Sequence, residues 1–230
     1  MTRAGKHKIC ESIDKEGEQL ENYTKYKLKE HDELVSVLAD KDNLFIIACN
    51  KCFKEFETID EPDCGEFEKI VAEQGKNVVG TAKVDFLCNK VQTEKKLQDM
   101  IPDGAENIFV ISCGLGIQTV ADLAGKPVFA ASNSLNYTGH HGMALTKKSC
   151  DACAQCYLNI TGGICPIVDC SKSLVNGQCG GAKNGKCEVD GEKDCAWEKI
   201  YRRLEKQGRL QEFLDQPVQV RDYSKVNFKV

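Results

Sequence analysis

Residues 150–195 read CDACAQCYLNITGGICPIVDCSKSLVNGQCGGAKNGKCEVDGEKDC and contain eight of the 14 cysteines in the chain. The run opens Cys150-x2-Cys153-x2-Cys156, and Cys165 follows directly before a proline. Three thiolates at this spacing can each bind a different iron of one cubane, and a cysteine before proline completes the pattern of bacterial iron-sulfur loops. The spacing therefore predicts an iron-sulfur site.

The second half of the run extends the set of candidate ligands. It contains Cys170, Cys179, Cys187 and Cys195. Eight thiolates supply two four-cysteine clusters, although spacing does not say which cysteine serves which cluster. The many glycines let the backbone approach closely and aim N–H groups at sulfur. A stretch so rich in glycine has little packing of its own, so metal ligation is expected to supply much of its folding energy.

Zinc and disulfides are the alternative uses of these cysteines. Structural zinc usually takes two separated CxxC or CxxH pairs, and a third cysteine two residues further on is hard to fit around one ion. Disulfides belong to oxidising compartments, and the N-terminus MTRAGKHKICESIDKEG has no apolar signal core. The thiols are therefore expected to be reduced and metal-bound in a cytoplasmic protein.

Composition narrows the function classes. The chain has 230 residues, 41% of them hydrophobic, and a net charge of -4. That charge, without a basic patch, argues against nucleic-acid binding. No apolar run approaches the roughly 20 residues of a membrane span. No Ser/His/Asp set, HExxH or Walker loop is present, so no catalytic residue is predicted.

Upstream of the cysteine run, short apolar segments alternate with helical ones. The predicted strands are LFIIA (44–48), VDFL (84–87), NIFVIS (107–112) and PVFAAS (127–132), with helices over 64–75, 93–101 and 114–125. This alternation predicts an α/β fold with an open parallel sheet. The domains are expected to be a charged helical segment (1–43), an α/β domain (44–135) and an iron-sulfur module with a terminal helix and arm (136–230).

The two ends of the chain carry further patterns. Residues 11–43 are charge-rich and predict a solvated helix. At the other end, Trp197, Ile200, Tyr201 and Leu204 recur at i, i+3, i+4 and i+7, which predicts a helix with one apolar face against the cysteine module. The tail after Pro217 is expected to be an extended arm, with another subunit as a candidate surface.

A second metal site is predicted at the edge of the sheet. Cys49, Cys88 and Cys113 each follow a predicted strand, and Cys52 forms a CxxC with Cys49. Ligands of open parallel sheets bind outside the carboxyl ends of the strands, so these four thiols could hold iron-sulfur or zinc. Cys64 could replace one of them. The alternative is that these cysteines are small hydrophobic core residues.

Three smaller features receive ordinary interpretations. GLGIQ (114–118) lacks the full G-x-G-x-x-G spacing of a nucleotide loop, and its glycines are expected to bring the backbone close to the Cys113 sulfur. His140 and His141 are expected to be surface residues, and Cys10 an ordinary free thiol.

Residues 44–230 resemble the small iron-sulfur (MetV-type) subunit of methylenetetrahydrofolate reductase of anaerobic acetogens. The similarity rests on the CxxCxxC motif together with TGGICP, NGQCGG, GKCEV and CAWEKIYRRL, and upstream on ACNKC, LCN and ISCGLGIQ. Two positions depart from the family pattern: Gln178 stands in place of a proline, and no third cysteine closely follows Cys52.

This resemblance implies an electron-relay subunit within a heteromeric oxidoreductase. It implies two 4Fe-4S clusters in the C-terminal module, a third cluster or a zinc ion in the N-terminal domain, and FMN in a partner TIM-barrel subunit that converts methylenetetrahydrofolate to methyltetrahydrofolate. Ferredoxin or a nicotinamide-oxidising subunit would donate the electrons. A zinc-binding assembly module and an iron-sulfur subunit of another one-carbon or corrinoid complex are the competing interpretations.

Overall fold

The computed structural model describes residues 25–50, 64–136 and 149–226. Strands and helices alternate through its first two thirds. The strands are β1 (Lys25–Leu28), β2 (Leu44–Cys49), β3 (Val78–Val84), β4 (Asn107–Ile111), β5 (Val128–Ala130) and β6 (Ser132–Asn136). The helices are α1 (His31–Leu38), α2 (Cys64–Glu73), α3 (Lys90–Met100), α4 (Gly114–Leu123), α5 (Pro166–Asp169), α6 (Ala196–Lys206) and α7 (Leu210–Leu214).

A four-stranded parallel sheet with the order β3-β2-β4-β5 forms the centre of the fold. All six residues of β2 are buried, because helices cover both faces of the sheet. One face packs on α3 and α4, through residues such as Leu97 and Val120, and the other packs on α1 and α2, through residues such as Leu34 and Phe67. The predicted α/β fold with a parallel sheet is confirmed.

The strand order places a crevice between β2 and β4. The chain runs outward from β2 to β3, then returns past β2 to β4 and β5. Ligands of open α/β sheets bind outside the strand ends at such a reversal. The strand ends at this crevice lead into Cys49 and Cys113, two of the predicted ligands.

The prediction of one solvated helix over residues 11–43 is wrong for the part that the structure describes. Residues 25–28 form β1, which pairs antiparallel with β6, and the helix α1 spans only eight residues. Leu34 and Leu38 of α1 are fully buried. Pairing with β6 and packing on the sheet override the helical signal of the charged residues, which local sequence cannot show.

The second strand of the sheet lies earlier in the sequence than the predicted segment 84–87. The strand β3 lies at 78–84, and 85–88 form a turn. Since β3 is at the edge of the sheet and mostly only partly buried, it lacks the continuous apolar run that marks a central strand. Cys88 therefore follows the strand by four residues instead of directly.

The C-terminal module packs around one aromatic residue. Trp197, Ile200 and Leu204 of α6 are buried with Ile164 and Cys195, which confirms the predicted apolar face of this helix. The Trp197 Nε1 donates a hydrogen bond of 3.0 Å to the Leu174 carbonyl oxygen. The module is otherwise made of turns and short helices, as its glycine content predicts.

An arginine joins this module to the α/β domain. Arg203 of α6 donates to the carbonyl oxygens of Ala121 (3.0 Å) and Gly162 (3.3 Å) and pairs with Asp122 at 3.2 Å. Ala121 and Asp122 belong to the C-terminal part of α4, so α4 serves both parts of the molecule. Across the described residues, no helix has the length and apolar character needed to cross a membrane.

Replacing Phe109 by alanine is expected to destabilise the fold strongly. Its ring is fully buried, with its centroid 5.4 Å from that of Phe67 and 5.2 Å from that of Phe129. The cavity left by Phe109→Ala should lower the free energy of unfolding by about 3–5 kcal/mol, measured by urea denaturation. The exposed Val91→Ala, in the same metal state, should change it by less than about 0.5 kcal/mol. Equal effects from the two variants would contradict this packing.

Candidate metal centre

Four cysteines of the CxxCxxC-to-CP segment line one cavity. These are Cys150, Cys153, Cys156 and Cys165, and we call this cavity the first thiol pocket. It lies against the N-terminus of α4, beside the carboxyl end of β4, with Gly114 and Gln118 in its wall. The carboxyl edge of the sheet thus forms one side of a pocket whose thiols all come from the C-terminal module.

The backbone of the CxxCxxC loop is held in an unusual conformation. Ala152 and Ala154 adopt left-handed φ angles of 46° and 53°, which cost about 1–2 kcal/mol each for a residue with a Cβ. Strained residues of this kind persist where surrounding contacts impose them, and they concentrate at functional sites. Here they turn successive cysteines towards the same cavity.

Strand β6 and helix α4 supply the contacts that hold this loop. The Ala154 N–H donates to the Ser134 carbonyl oxygen (3.0 Å), and the Cys156 N–H donates to Asn133 Oδ1 (2.9 Å). The side-chain amide of Gln118 donates to the carbonyl oxygen of Ser149 (2.8 Å). Sequence analysis did not identify these positioning residues, because their role depends on β6 lying next to the loop.

Gly114 makes room for a cysteine sulfur. A Cβ at this position would lie 2.7 Å from the Cys150 Sγ, closer than real Cβ atoms come to other atoms. The prediction that the glycines of GLGIQ bring the backbone close to the Cys113 sulfur is wrong for Gly114. The sulfur next to Gly114 belongs to Cys150, which is far away in the sequence. The Gly114 N–H also donates to Ser134 Oγ at 2.8 Å.

Backbone N–H groups point at several cysteine sulfurs. The Leu158 N–H forms a hydrogen bond with the Cys156 sulfur. The N–H groups of Ile167 and Val168, at the start of α5, form hydrogen bonds with the Cys165 sulfur. Hydrogen bonds to sulfur favour the thiolate and tune bound iron-sulfur groups. The pattern is therefore one that a metal-ligating loop requires.

Burial opposes ionisation of the same thiols. Desolvation raises the pKa of Cys156 from 9.0 to about 12 and raises the pKa of Cys153 and Cys165 as well. The nearby Cys150 raises each of these three further, because thiolates repel one another. A cation bound among these thiols would offset this penalty, since coordination deprotonates a thiol.

Two polar atoms in the wall of this pocket are buried and find no hydrogen-bond partner within the described part of the chain. They are the Gln118 Oε1 and the Tyr157 hydroxyl. Buried polar groups are almost always paired, so both atoms are available to a water molecule or another group in this pocket.

The other four cysteines line a second cavity. These are Cys170, Cys179, Cys187 and Cys195, and we call it the second thiol pocket. Cys195 precedes α6 and is buried, whereas Cys179 is exposed. The hydrogen bond between Cys187 and the Ser171 hydroxyl, together with those from the N–H groups of Val189 and Asp190, lowers the pKa of the Cys187 thiol.

A single short helix separates the two pockets. Cys165 immediately precedes α5 and Cys170 immediately follows it. The spacing of the cysteines did not assign them to sites, and the structure divides them in chain order, four and four. Among the described residues, the side chains are not arranged so that three or more His, Cys, Asp or Glu could together hold a metal ion. The thiols of each pocket instead border a shared cavity.

The predicted site at the sheet edge is only partly described. Cys49 is buried at the end of β2, in the core with Phe45 and Ile47, and Cys113 precedes α4. Cys64 lies in the core on the opposite face of the sheet. Cys52 lies outside the described residues, as do Cys10, His140 and His141. Ligation at this edge therefore stays a prediction.

The C-terminal arm, residues 217–226, lies on its own chain. The Asp222 N–H donates to Gln155 Oε1 (2.9 Å), and Arg221 lies 3.7 Å from a carboxylate oxygen of Asp151. Both partners are spacer residues of the CxxCxxC motif. The structure places the arm over the loop of the first thiol pocket, and contact of the arm with another subunit stays a prediction.

The donor sets of both pockets fit a four-thiolate group. Each offers four sulfurs, and thiolate sets of this composition select iron-sulfur clusters or zinc. In the first thiol pocket, the missing Cβ of Gly114 leaves the space that the Cys150 sulfur occupies.

Comparison with known proteins gave one match. Residues 129–224 match a family model described as methylene-tetrahydrofolate reductase C terminal. The match starts in β5, covers less than half of the chain, and includes both thiol pockets and most of the arm. It relates this part of the chain to methylenetetrahydrofolate reductases. No curated protein and no solved structure matched the chain.

Adding a methyl group at Gly114 is expected to empty the first thiol pocket. In Gly114→Ala the new Cβ displaces the Cys150 sulfur, so metal bound per chain after anaerobic purification should fall by about half, while circular dichroism stays unchanged. Gly65→Ala is the control, since its Cβ would meet nothing within 4 Å. Full metal content in Gly114→Ala would contradict the proposed role of this contact.

Metal uptake is expected to strengthen with rising pH. Because the pKa of Cys156 is raised to about 12, this thiol is protonated at neutral pH and must lose its proton when a metal binds. The affinity for Zn²⁺ should therefore rise between pH 7 and 8, measured by competition with a chelator. The proton lost by Cys156 should contribute about a tenfold gain in Zn²⁺ affinity per pH unit, and Cys156→Ala should abolish this contribution. An unchanged slope would show that the thiol is not a ligand.

Proposed function

We propose that this chain is the electron-transfer subunit of a methylenetetrahydrofolate reductase complex. It would relay electrons, through iron-sulfur groups in its two thiol pockets, to the FMN of a partner subunit that reduces methylenetetrahydrofolate to methyltetrahydrofolate. The observation that carries the proposal is the division of eight cysteines into two four-thiol pockets. All eight of these cysteines lie inside the segment that matches the reductase C-terminal family.

The ligands follow from this division. Cys150, Cys153, Cys156 and Cys165 would hold one group, and Cys170, Cys179, Cys187 and Cys195 the other. Iron-sulfur clusters held by four cysteines supply one-electron transfer over a wide range of potentials. The protein contributes the N–H groups that point at sulfur and the burial that desolvates the Cys156 and Cys165 thiols.

The helix α5 suits an electron relay because it fixes the separation of the pockets. Four helical residues between Cys165 and Cys170 advance the chain by only about 6–8 Å at 1.5 Å per residue. The second thiol pocket includes the exposed Cys179, so a soluble electron donor can approach it. Ferredoxin or a nicotinamide-oxidising subunit is the proposed donor, in a cytoplasmic complex. Cys49, Cys52, Cys88 and Cys113 are proposed to hold a third cluster or zinc.

A structural zinc module is the second candidate, and one observation favours it. Four thiols close on one ion in structural zinc sites, and the second thiol pocket is small, exposed and surrounded by turns. With zinc in both pockets the chain would be an assembly module without a redox role.

Anaerobic purification separates these functions. Two four-cysteine clusters predict about eight iron and about eight acid-labile sulfide per chain, with visible absorbance that bleaches on reduction. A colourless protein that contains only zinc would contradict the proposal. A flavoprotein that co-purifies supports the folate role, whereas a corrinoid protein in its place assigns the chain to another one-carbon complex.

Paired cysteine substitutions are expected to remove one cluster at a time. Cys153→Ser with Cys156→Ser, and Cys179→Ser with Cys187→Ser, should each lower iron and sulfide by about four per chain. The two pairs should abolish different electron paramagnetic resonance signals from the reduced protein. If either pair removed all iron, the division into two independent sites would be wrong. Cys88→Ser tests the sheet edge, where lost iron would reveal a third site.

A further inference from the structure

A lysine ammonium is buried beside the first thiol pocket. Lys29 directly follows β1, and its side chain is only 1% exposed. Its Nζ donates to the Cys156 carbonyl oxygen at 3.3 Å and contacts the carboxylate of Glu33. Lysine is almost never buried to this degree unless it is paired, and Glu33 is itself 45% exposed, so water weakens its compensation.

The position of Lys29 is fixed by the fold. Its N–H donates to the Ala131 carbonyl oxygen at 3.0 Å, between β5 and β6. Its charge acts on the Cys156 thiol, favouring the thiolate. A buried cation next to Cys156 has an electrostatic partner once that thiol, or a group bound to it, carries negative charge.

Other sources of positive potential surround the same pocket. Arg221 of the arm lies by Asp151, with its side chain 17% exposed. The ten-residue helix α4 points its N-terminus at the pocket, with Gly114 against the Cys150 sulfur. The N-terminus of a helix carries partial positive charge and favours anions.

The second thiol pocket has a different charge balance. Asp169, Lys172 and Glu188 line it, and Lys172 pairs with Glu188, which leaves Asp169 as the excess carboxylate of its wall; in the first pocket the wall carboxylate, Asp151, has Arg221 beside it. The Asp169 Oδ2 is buried and has no hydrogen-bond partner among the residues that the structure describes. A carboxylate in this position disfavours additional negative charge nearby.

We propose that Lys29 makes the first thiol pocket the higher-potential of the two, so that electrons run from the second thiol pocket to the first. The inference rests on the proposed function. One electron from a reduced iron-sulfur protein or nicotinamide-oxidising subunit reduces the group held in the second thiol pocket. That electron would then pass to the group that Cys150, Cys153, Cys156 and Cys165 would hold, and from there to an oxidised flavin of the partner, which would need two such one-electron transfers to be fully reduced. Lys29 raises the potential of the first-pocket group through its positive charge and does not itself bind the metal.

Redox titration of the anaerobic holoprotein tests this order. The paired cysteine variants assign the two signals, and the first thiol pocket should have the higher midpoint potential. In Lys29→Met the ratio of reduced to oxidised first-pocket group at a fixed ambient potential should fall by about tenfold, as loss of one close charge predicts. Lys29→Arg should restore most of that ratio. The second-pocket potential should not move.

Lys27→Met is the matched control. Lys27 lies two residues before Lys29, in β1, but its side chain is 56% exposed and pairs with Glu30 at 3.0 Å, so its removal should leave both potentials unchanged. Two further variants keep the test decisive if Lys29→Met loses iron. Glu33→Gln should raise the first-pocket potential, and Asp169→Asn should raise the second.

The outcomes separate the two proposals. A wild-type protein without redox-active iron overturns the proposed function and this inference with it. Two other results overturn this inference alone. One is a second thiol pocket with the higher midpoint potential. The other is a first-pocket potential that changes no more in Lys29→Met and Glu33→Gln than it does in Lys27→Met.

Discussion

The crowding of four thiols against the N-terminus of α4 is the constraint on which this structure depends. Burial and mutual repulsion both raise the pKa of Cys153, Cys156 and Cys165, so the pocket resists ionisation of its own ligands. A bound cation reverses this balance, because each thiol then gains more from coordination than it loses by desolvation. The left-handed alanines of the CxxCxxC loop and the missing side chain of Gly114 make sense as features of a loop shaped around its sulfurs.

Helix α4 unites the two halves of the molecule. Its first residue borders the Cys150 sulfur, and its C-terminal part accepts hydrogen bonds and an ion pair from Arg203. Its apolar residues meanwhile pack on the parallel sheet, in a core much larger than that of the cysteine module. A module with so little regular structure thereby uses a rigid domain as its base, which is how precise ligand geometry is usually achieved.

The two thiol pockets have different surroundings although their ligand sets are alike. The first lies at the junction of the sheet, α4 and the arm, and has buried cationic and amide groups nearby. The second lies within turns of the module, with carboxylates in its wall and an exposed cysteine. Reduction potentials of iron-sulfur groups depend on net charge, hydrogen bonds to sulfur and solvent exposure, and the charged side chains around the two pockets differ. The same cysteine chemistry is therefore placed in two distinct electrostatic settings.

The sequence by itself determined the α/β class, the parallel sheet and the apolar face of α6, because apolar periodicity is a local signal. It also identified the cysteines as candidate metal ligands, because the spacing of such residues is visible along the chain. It misplaced β3 and missed β1, because edge pairing depends on partners far away in sequence. Only the tertiary structure decided how the eight cysteines divide, which sulfur faces Gly114, and that Lys29 is buried beside Cys156. Each of these depends on β6, α4 and the CxxCxxC loop meeting in space, and no pattern of neighbouring residues encodes such a meeting.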